Sequence, residues 1–178
     1  MRCFLAIDLN YECRDYLFNL QKEISKFVKA KWVEKKNLHL TLKFLGDLDE
    51  NKLETVKRIL SEIKVKKFKI YLNELGVFPN ENVINIIWVG LKPERDIMNL
   101  QKRIDEVLLD LFSKDQKFLS HITLGRVKFI KNKEKLKGIL KETKINKIEF
   151  EVNKFRLYKS ELTKNGPRYY VLDEYKLE

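Results

Sequence analysis

The sequence predicts an α+β fold, and three observations carry that reading. Helical and strand periodicities follow one another without a strict parallel βαβ rhythm. No Gly-rich phosphate loop opens any of the helices. The chain has only 6 Gly and 3 Pro, with no Pro/Gly/Ser linker and no low-complexity tract, so its loops must be short and any lobes must share one body. At 178 residues and 44% hydrophobic it can bury a real core, and 11% aromatic is more than a disordered chain carries.

Residues 2–9 read as a strand. Residues 11–29 place Tyr16, Leu17, Leu20, Ile24, Phe27 and Val28 at helical spacing behind Asn10, a good N-cap. An extended stretch starts at Trp32-Val33 and continues through 38–45. Asp49 then opens a helix whose buried stripe is Leu53, Val56, Leu60 and Ile63. Strands are expected at 67–77, where Phe68, Ile70 and Leu72 alternate, and at 83–90, a nearly continuous apolar run. Pro93 lies near the start of a third helix with Ile97, Leu100, Ile104, Val107, Leu108 and Leu111 inward. A strand at 120–129, a charged helix near 132–142 and strands near 146–162 and 168–175 complete the chain.

Composition narrows the function classes. No stretch approaches the roughly 18 apolar residues of a membrane span, and the opening MRCFLAIDLN reads as a strand rather than a leader, so a cytoplasmic protein is expected. Cys3 and Cys13 make no disulfide framework, and two His with two Cys leave zinc nearly excluded. The 37 Lys+Arg against 26 Asp+Glu give a net charge of +11, which favours a polyanionic partner. The same Lys- and Glu-rich balance is found on solvated faces of heat-adapted proteins, so charge alone is a weak signal.

The informative feature is a repeat. Residues 39–42 read His-Leu-Thr-Leu and residues 121–124 read His-Ile-Thr-Leu, and these hold the only two histidines of the chain. With five threonines in 178 residues, both histidines gain a Thr two places on by chance about one time in a thousand. On a strand, residues i and i+2 share a face. His39 with Thr41, and His121 with Thr123, therefore project together, while Leu38, Leu40, Leu42 and Phe44, and likewise Ile122 and Leu124, form the opposite aliphatic face.

A duplicated imidazole–hydroxyl pair suits a phosphodiester. Imidazole takes or gives a proton near neutrality, so one can activate the attacking water while the other protonates the departing sugar oxygen. In-line displacement needs those two groups on opposite sides of phosphorus. Thr41 and Thr123 are candidates to donate hydrogen bonds to the non-bridging oxygens. Arg126 and Lys43 are the basic residues nearest the motifs; Arg126 is preferred because a guanidinium can hold phosphate bidentately.

With these flanks, the sequence resembles the two-histidine phosphoesterases, and closely the archaeal and bacterial RNA 2′,3′-cyclic phosphodiesterases, also called 2′-5′ RNA ligases. The likeness runs from Met1–Asp8 through residues 31–48, LGVFPN at 75–80, IIWVGL at 86–91, residues 118–128 and residues 157–172. Ser120 stands where relatives often have Pro, and Gly125 where they often have Ala. The resemblance implies two intertwined lobes across residues 1–178, mostly antiparallel sheets related by a pseudo-twofold axis, helices outside and a groove between. It implies cofactor-free, metal-independent opening of an RNA-terminal 2′,3′-cyclic phosphate to a 2′-phosphomonoester. In that scheme His39 is the proton donor and His121 the acceptor, with ATP-independent 2′-5′ ligation as the approximate reverse.

The expected partner is an RNA bearing a cyclic phosphate end, tRNA fragments among them, and the expected working unit is a monomer. Two other readings stay open at this stage. One is a non-catalytic RNA-end binding module using aromatics such as Phe78 or Tyr169. The other is the same chemistry on a small cyclic nucleotide or an ADP-ribose cyclic phosphate.

Overall fold

Two antiparallel sheets, each carrying one of the repeated motifs, organise the computed structural model, which describes residues 1–178. The elements run β1 (Arg2–Asp8), α1 (Tyr11–Ile24), β2 (Val28–Trp32), a 3-10 turn (Lys35–Asn37), β3 (His39–Asp47), α2 (Glu50–Ser61), β4 (Phe68–Asn80) and β5 (Val83–Lys92). They continue with α3 (Glu94–Val107), β6 (His121–Ile130), α4 (Lys133–Glu142), β7 (Glu149–Val152), β8 (Lys154–Thr163) and β9 (Gly166–Lys176). One sheet has the order β3-β1-β8-β9 and the other β2-β6-β5-β4-β7. Apart from β2, each begins at its motif strand and adds three neighbours in the same way. The order β1-α1-β3-α2 recurs as β5-α3-β6-α4, the signature of a duplication. The two halves also exchange strands. β2, from the first half, pairs with β6, whereas β8 returns from the C-terminal end to sit beside β1 with β9 on its outer edge.

Local chemistry accounts for the helices. Asn10, Asp49 and Asn132 each accept a hydrogen bond from the backbone N–H three residues on, capping α1, α2 and α4. Each helix buries an apolar stripe, such as Cys13, Leu17, Leu20 and Ile24 on α1 and Ile97, Leu100 and Ile104 on α3. These meet the aliphatic faces of both sheets in one continuous core that contains Leu5, Ile7, Leu40, Ile87, Val89, Ile122 and Leu124. Gln21, buried on α1, donates to the carbonyls of Val33 at 2.9 Å and Leu124 at 2.8 Å, pinning the chain ahead of β3 to the second motif strand. No helix is long and apolar enough to cross a membrane.

Two expectations need correction. The helix read over 11–29 stops at Ile24, and Val28–Trp32 is a strand. Phe27 and Val28 lie at helical spacing from Ile24, but Val28, Lys29, Ala30, Lys31 and Trp32 also alternate with period two, and pairing with β6 decides between the patterns. The second correction concerns the motif strands. Thr41 pairs with Ala6 but Lys43 pairs with Leu5, so Leu42 has no partner; Thr123 pairs with Trp88 but Gly125 with Ile87, so Leu124 has none. A β-bulge thus falls on the same letter of both motifs and reverses the side-chain phase beyond it. Phe44, expected on the aliphatic face, is instead 73% exposed.

Candidate active site

Each histidine stands at the first position of its strand, and each ring is fixed by a carbonyl two residues earlier. His39 Nδ1 lies 2.6 Å from the Asn37 oxygen, and His121 Nδ1 lies 2.7 Å from the Leu119 oxygen. A carbonyl only accepts, so Nδ1 carries the proton in both rings and Nε2 is the nitrogen left for chemistry. At His39, Nε2 is 2.8 Å from the Thr41 hydroxyl, on the one face that the i, i+2 spacing predicts they share. The rings are also wedged by aromatic neighbours. Phe4 lies 5.1 Å and Tyr169 5.5 Å from His39; Phe78 lies 5.1 Å and Trp88 6.3 Å from His121. Trp88 can lie flat only because position 76 is glycine, where a Cβ would come within 2.2 Å of its ring.

The motif strands pack alongside one another, and their residues line three concavities. One, about 280 Å³, is lined by Thr41 and His121 together with Phe44, Phe118 and Leu119. A second, about 350 Å³, holds Thr123, Arg126, Trp32 and Tyr169. A third, about 240 Å³, holds His39, Asn37, Tyr169 and the cations Arg14, Lys36 and Arg168. Arg126 is thus on the groove side with Thr123, because the bulge at Leu124 turns it outward while Gly125 turns in against Trp32.

Lys43 is the opposite case: it borders the concavity of Thr41 and His121, but its ammonium is taken up by an interior ion pair. The bulge at Leu42 turns it into the interior, 3% exposed, where Nζ lies 2.5 Å from Asp105 Oδ1, 2.9 Å from the Ser113 oxygen and 3.4 Å from Asp115 Oδ1. Asp105 also accepts from Gln101 and from the Asp115 backbone N–H. Burial alone would raise the Asp105 pKa, but these hydrogen bonds, Lys43 foremost, outweigh it and hold the carboxyl below its ordinary value. The cluster ties β3 to α3 and to the loop that delivers Leu119 and His121.

The two half-sites differ in their neighbours. His39 pairs across the sheet with Asp8, whereas His121 pairs with Gly90. Asp8 is held by Arg156 at 2.6 Å and by the Tyr158 hydroxyl, and Arg156 also binds Glu174 at 2.8 Å. Burial, then the bond to Asp8, pushes the Tyr158 phenol up to about 12, so it remains a donor. Burial pushes His39 below the ordinary histidine value; the Asn37 carbonyl and Asp8 oppose this, while Arg14 and His121 add to it. Asp8 was visible in sequence only as a polar residue interrupting an apolar strand. The orienting carbonyls carry no sequence signal, since any residue supplies one.

The motifs, their order and this geometry agree with what the chain is similar to. The model for LigT like Phosphoesterase matches residues 7–88 and again 89–169, one motif in each match. The RNA 2′,3′-cyclic phosphodiesterase of Methanocaldococcus jannaschii is 42% identical over 177 residues, covering 98% of this chain and 100% of that protein. The protein of the same name from Archaeoglobus fulgidus is 39% identical, covering 95% and 96%. A solved structure from Thermus thermophilus superposes with a TM-score of 0.82 at 27% identity, covering 99% of this chain and 97% of the other. Escherichia coli LigT complexed with 3′-AMP shares the fold, with a TM-score of 0.76 at 24% identity, covering 99% and 96%. A duplicated model match, near-full-length relatives and two ring-fixed histidines on equivalent strands lead to one conclusion: the chain belongs to the LigT-like phosphoesterase family.

Proposed function

We propose that this protein hydrolyses RNA ends carrying a 2′,3′-cyclic phosphate to 2′-phosphomonoesters. The observation that carries the reading is the pair of imidazoles on matching strands, each with Nδ1–H tied to a carbonyl and Nε2 left for proton transfer. The names of the relatives support the substrate, and the +11 charge agrees with an RNA partner.

In the proposed reaction, His121 Nε2 removes a proton from water as the water oxygen attacks phosphorus. The P–O3′ bond breaks, and the imidazolium of His39 gives its Nε2 proton to O3′, leaving the phosphate on O2′. Thr41 and Thr123 donate to the non-bridging oxygens, and Arg126 offsets the charge that gathers on them. The Thr41 hydroxyl now bonded to His39 Nε2 turns to the phosphate when substrate arrives. Both proton transfers are supplied by side chains, so the scheme uses no metal or cofactor. Ligation of a 5′-hydroxyl is the same chemistry with a sugar alcohol in place of water, and the site is complete within a monomer.

The test is incubation with an RNA ending in 2′,3′-cyclic phosphate, followed by mapping of the phosphate. The expected product is a 2′-phosphate, formed equally with and without EDTA, and formed about a hundredfold or more slowly by His39→Ala or His121→Ala protein. A 3′-phosphate product would contradict the assigned roles, and full activity of either variant would end the two-histidine scheme.

A further inference from the structure

The concavity beside His39 contains more positive charge than the two-histidine scheme uses. Arg14 from α1, Lys36 from the 3-10 turn and Arg168 from β9 converge on it from three separate elements. Their charge is poorly balanced. Neither Arg14 nor Arg168 has a carboxylate at ion-pair distance, and Lys36 has only the exposed Glu34 at 3.5 Å, a weak pairing. Glu161, across the sheet from Arg168, is already bound to Lys159 at 2.7 Å. Asp8 also lines the concavity, but Arg156 and Tyr158 occupy its two oxygens. Within this surface the Arg14 Nε is buried and has no hydrogen-bond partner.

The chemistry selects a phosphate: three cations, two of them planar guanidiniums, around a space of about 240 Å³. An RNA end offers a second phosphate in a defined place. The group on O5′ of the terminal nucleotide hangs from C4′ through C5′, and C4′ is bonded to C3′. It is therefore one bond closer to the O3′ that leaves than to the O2′ that keeps the phosphate. With O3′ beside His39, the O5′ phosphate falls on the His39 side of the groove, where these cations are.

We infer that Arg14, Lys36 and Arg168 form a subsite for the phosphate on the 5′ side of the terminal nucleotide, which makes the enzyme select polynucleotide ends over cyclic mononucleotides. This rests on the cyclic phosphodiesterase reading and adds to it the polarity of the bound strand. Recognition of the second phosphate also helps to set which sugar oxygen faces the donor.

The experiment compares kcat/KM for adenosine 2′,3′-cyclic phosphate bearing a 5′-phosphate with that for the same compound bearing a 5′-hydroxyl. The unaltered protein is expected to prefer the 5′-phosphorylated compound by about tenfold, as charge-assisted contacts in a half-open pocket provide. The ratio falls toward one in the Arg14→Gln, Arg168→Gln double variant and is largely kept in Arg14→Lys. Arg168→Gln alone, at an exposed position, lowers the ratio without burdening the fold. A Lys102→Gln, Lys133→Gln control, which removes the same charge elsewhere, leaves it unchanged. A ratio near one in the unaltered protein, a ratio that survives the double variant, or an equal fall in the control would overturn the subsite. Turnover of neither compound would instead overturn the parent reading, and this one with it.

Discussion

Replacing Lys43 by Met separates an interior ion pair from a phosphate ligand. Lys43 and Asp105 are 2% and 5% exposed at the side chain, with Nζ and Oδ1 2.5 Å apart. Met fills most of the lysine stem's volume but leaves the Asp105 carboxylate buried with only Gln101 and the Asp115 N–H. Breaking a buried pair in this way costs about 3–5 kcal/mol. For a chain of this length that lowers Tm by about 6–20 °C. Urea unfolding at pH 7 gives the loss directly. Asp105 is held below its ordinary pKa in the native protein, so the pair's contribution is complete above the unfolded value, about 3.9, and fades as pH falls through the lowered one. The gap between the two proteins therefore narrows on acidification. Lys43→Met with Asp105→Leu recovers most of the stability, because no uncompensated charge remains. Well below its Tm, Lys43→Met keeps kcat within about tenfold, the residual loss coming from the loosened loop that carries Leu119. Unchanged stability with a thousandfold fall in kcat would refute this reasoning and return Lys43 to the phosphate.

Further outcomes are expected. His39→Ala and His121→Ala each lower kcat by about 10²–10⁴ with circular dichroism unchanged, the range for losing one positioned acid or base. The His39 ring, followed by NMR, titrates below the ordinary histidine value and moves up when phosphate binds. Because its folded pKa is depressed, the neutral ring's contribution to stability is complete above about pH 6.5 and is lost as pH falls through the lowered value; a ring titrating above 6.5 would contradict this. Gly125→Ala places a Cβ 2.7 Å from Trp32 Cε3 and 3.1 Å from Cζ3, and overpacking of that kind costs about 1–3 kcal/mol, read as a lower Tm and a changed tryptophan emission.

Much of this site was legible because strand periodicity and chemistry agree over short spans. The His-x-Thr pairs needed only that i and i+2 share a face, and that relation holds up to the bulge. Beyond it the same rule failed for Lys43 and Phe44, because a bulge is decided by the partner strand's register and not by the motif's own letters. Arg126 survived the same failure because the bulge at Leu124 carries it to the groove. β2 was hidden for a related reason: Phe27 and Val28 satisfy a helix and a strand equally, and only β6, nearly a hundred residues away, chooses. The cationic concavity was illegible, since Arg14, Lys36 and Arg168 lie on three elements and outside both His-x-Thr repeats.

The near-identity of the two motifs does not say which imidazole is the acid and which the base, and the cross-strand partners provide a way to test it. Asp8 faces His39, with Arg14, Tyr169 and His121 the other titratable groups around that ring; Gly90 faces His121, with Phe78 and Trp88 about it and the Glu74 carboxylate beside Gly90. The Asp8 carboxylate favours imidazolium at His39 while burial opposes it, and the other half-site has a carboxylate of its own in Glu74. The donor role proposed for His39 comes from the family resemblance, and Asp8 gives a handle on it. Asp8→Asn tests it on a substrate without a 5′-phosphate. Removing the charge lowers the His39 pKa further, so a smaller fraction of enzyme carries a protonated His39 at any pH. If His39 is the donor, the maximum of the bell-shaped kcat/KM profile falls and the optimum shifts to more acid pH. If His39 were the base, its depressed pKa would only move the acid limb outward and the maximum would hold. A maximum that stays level in Asp8→Asn would therefore exchange the two histidines, and with them the direction in which the RNA lies across the groove.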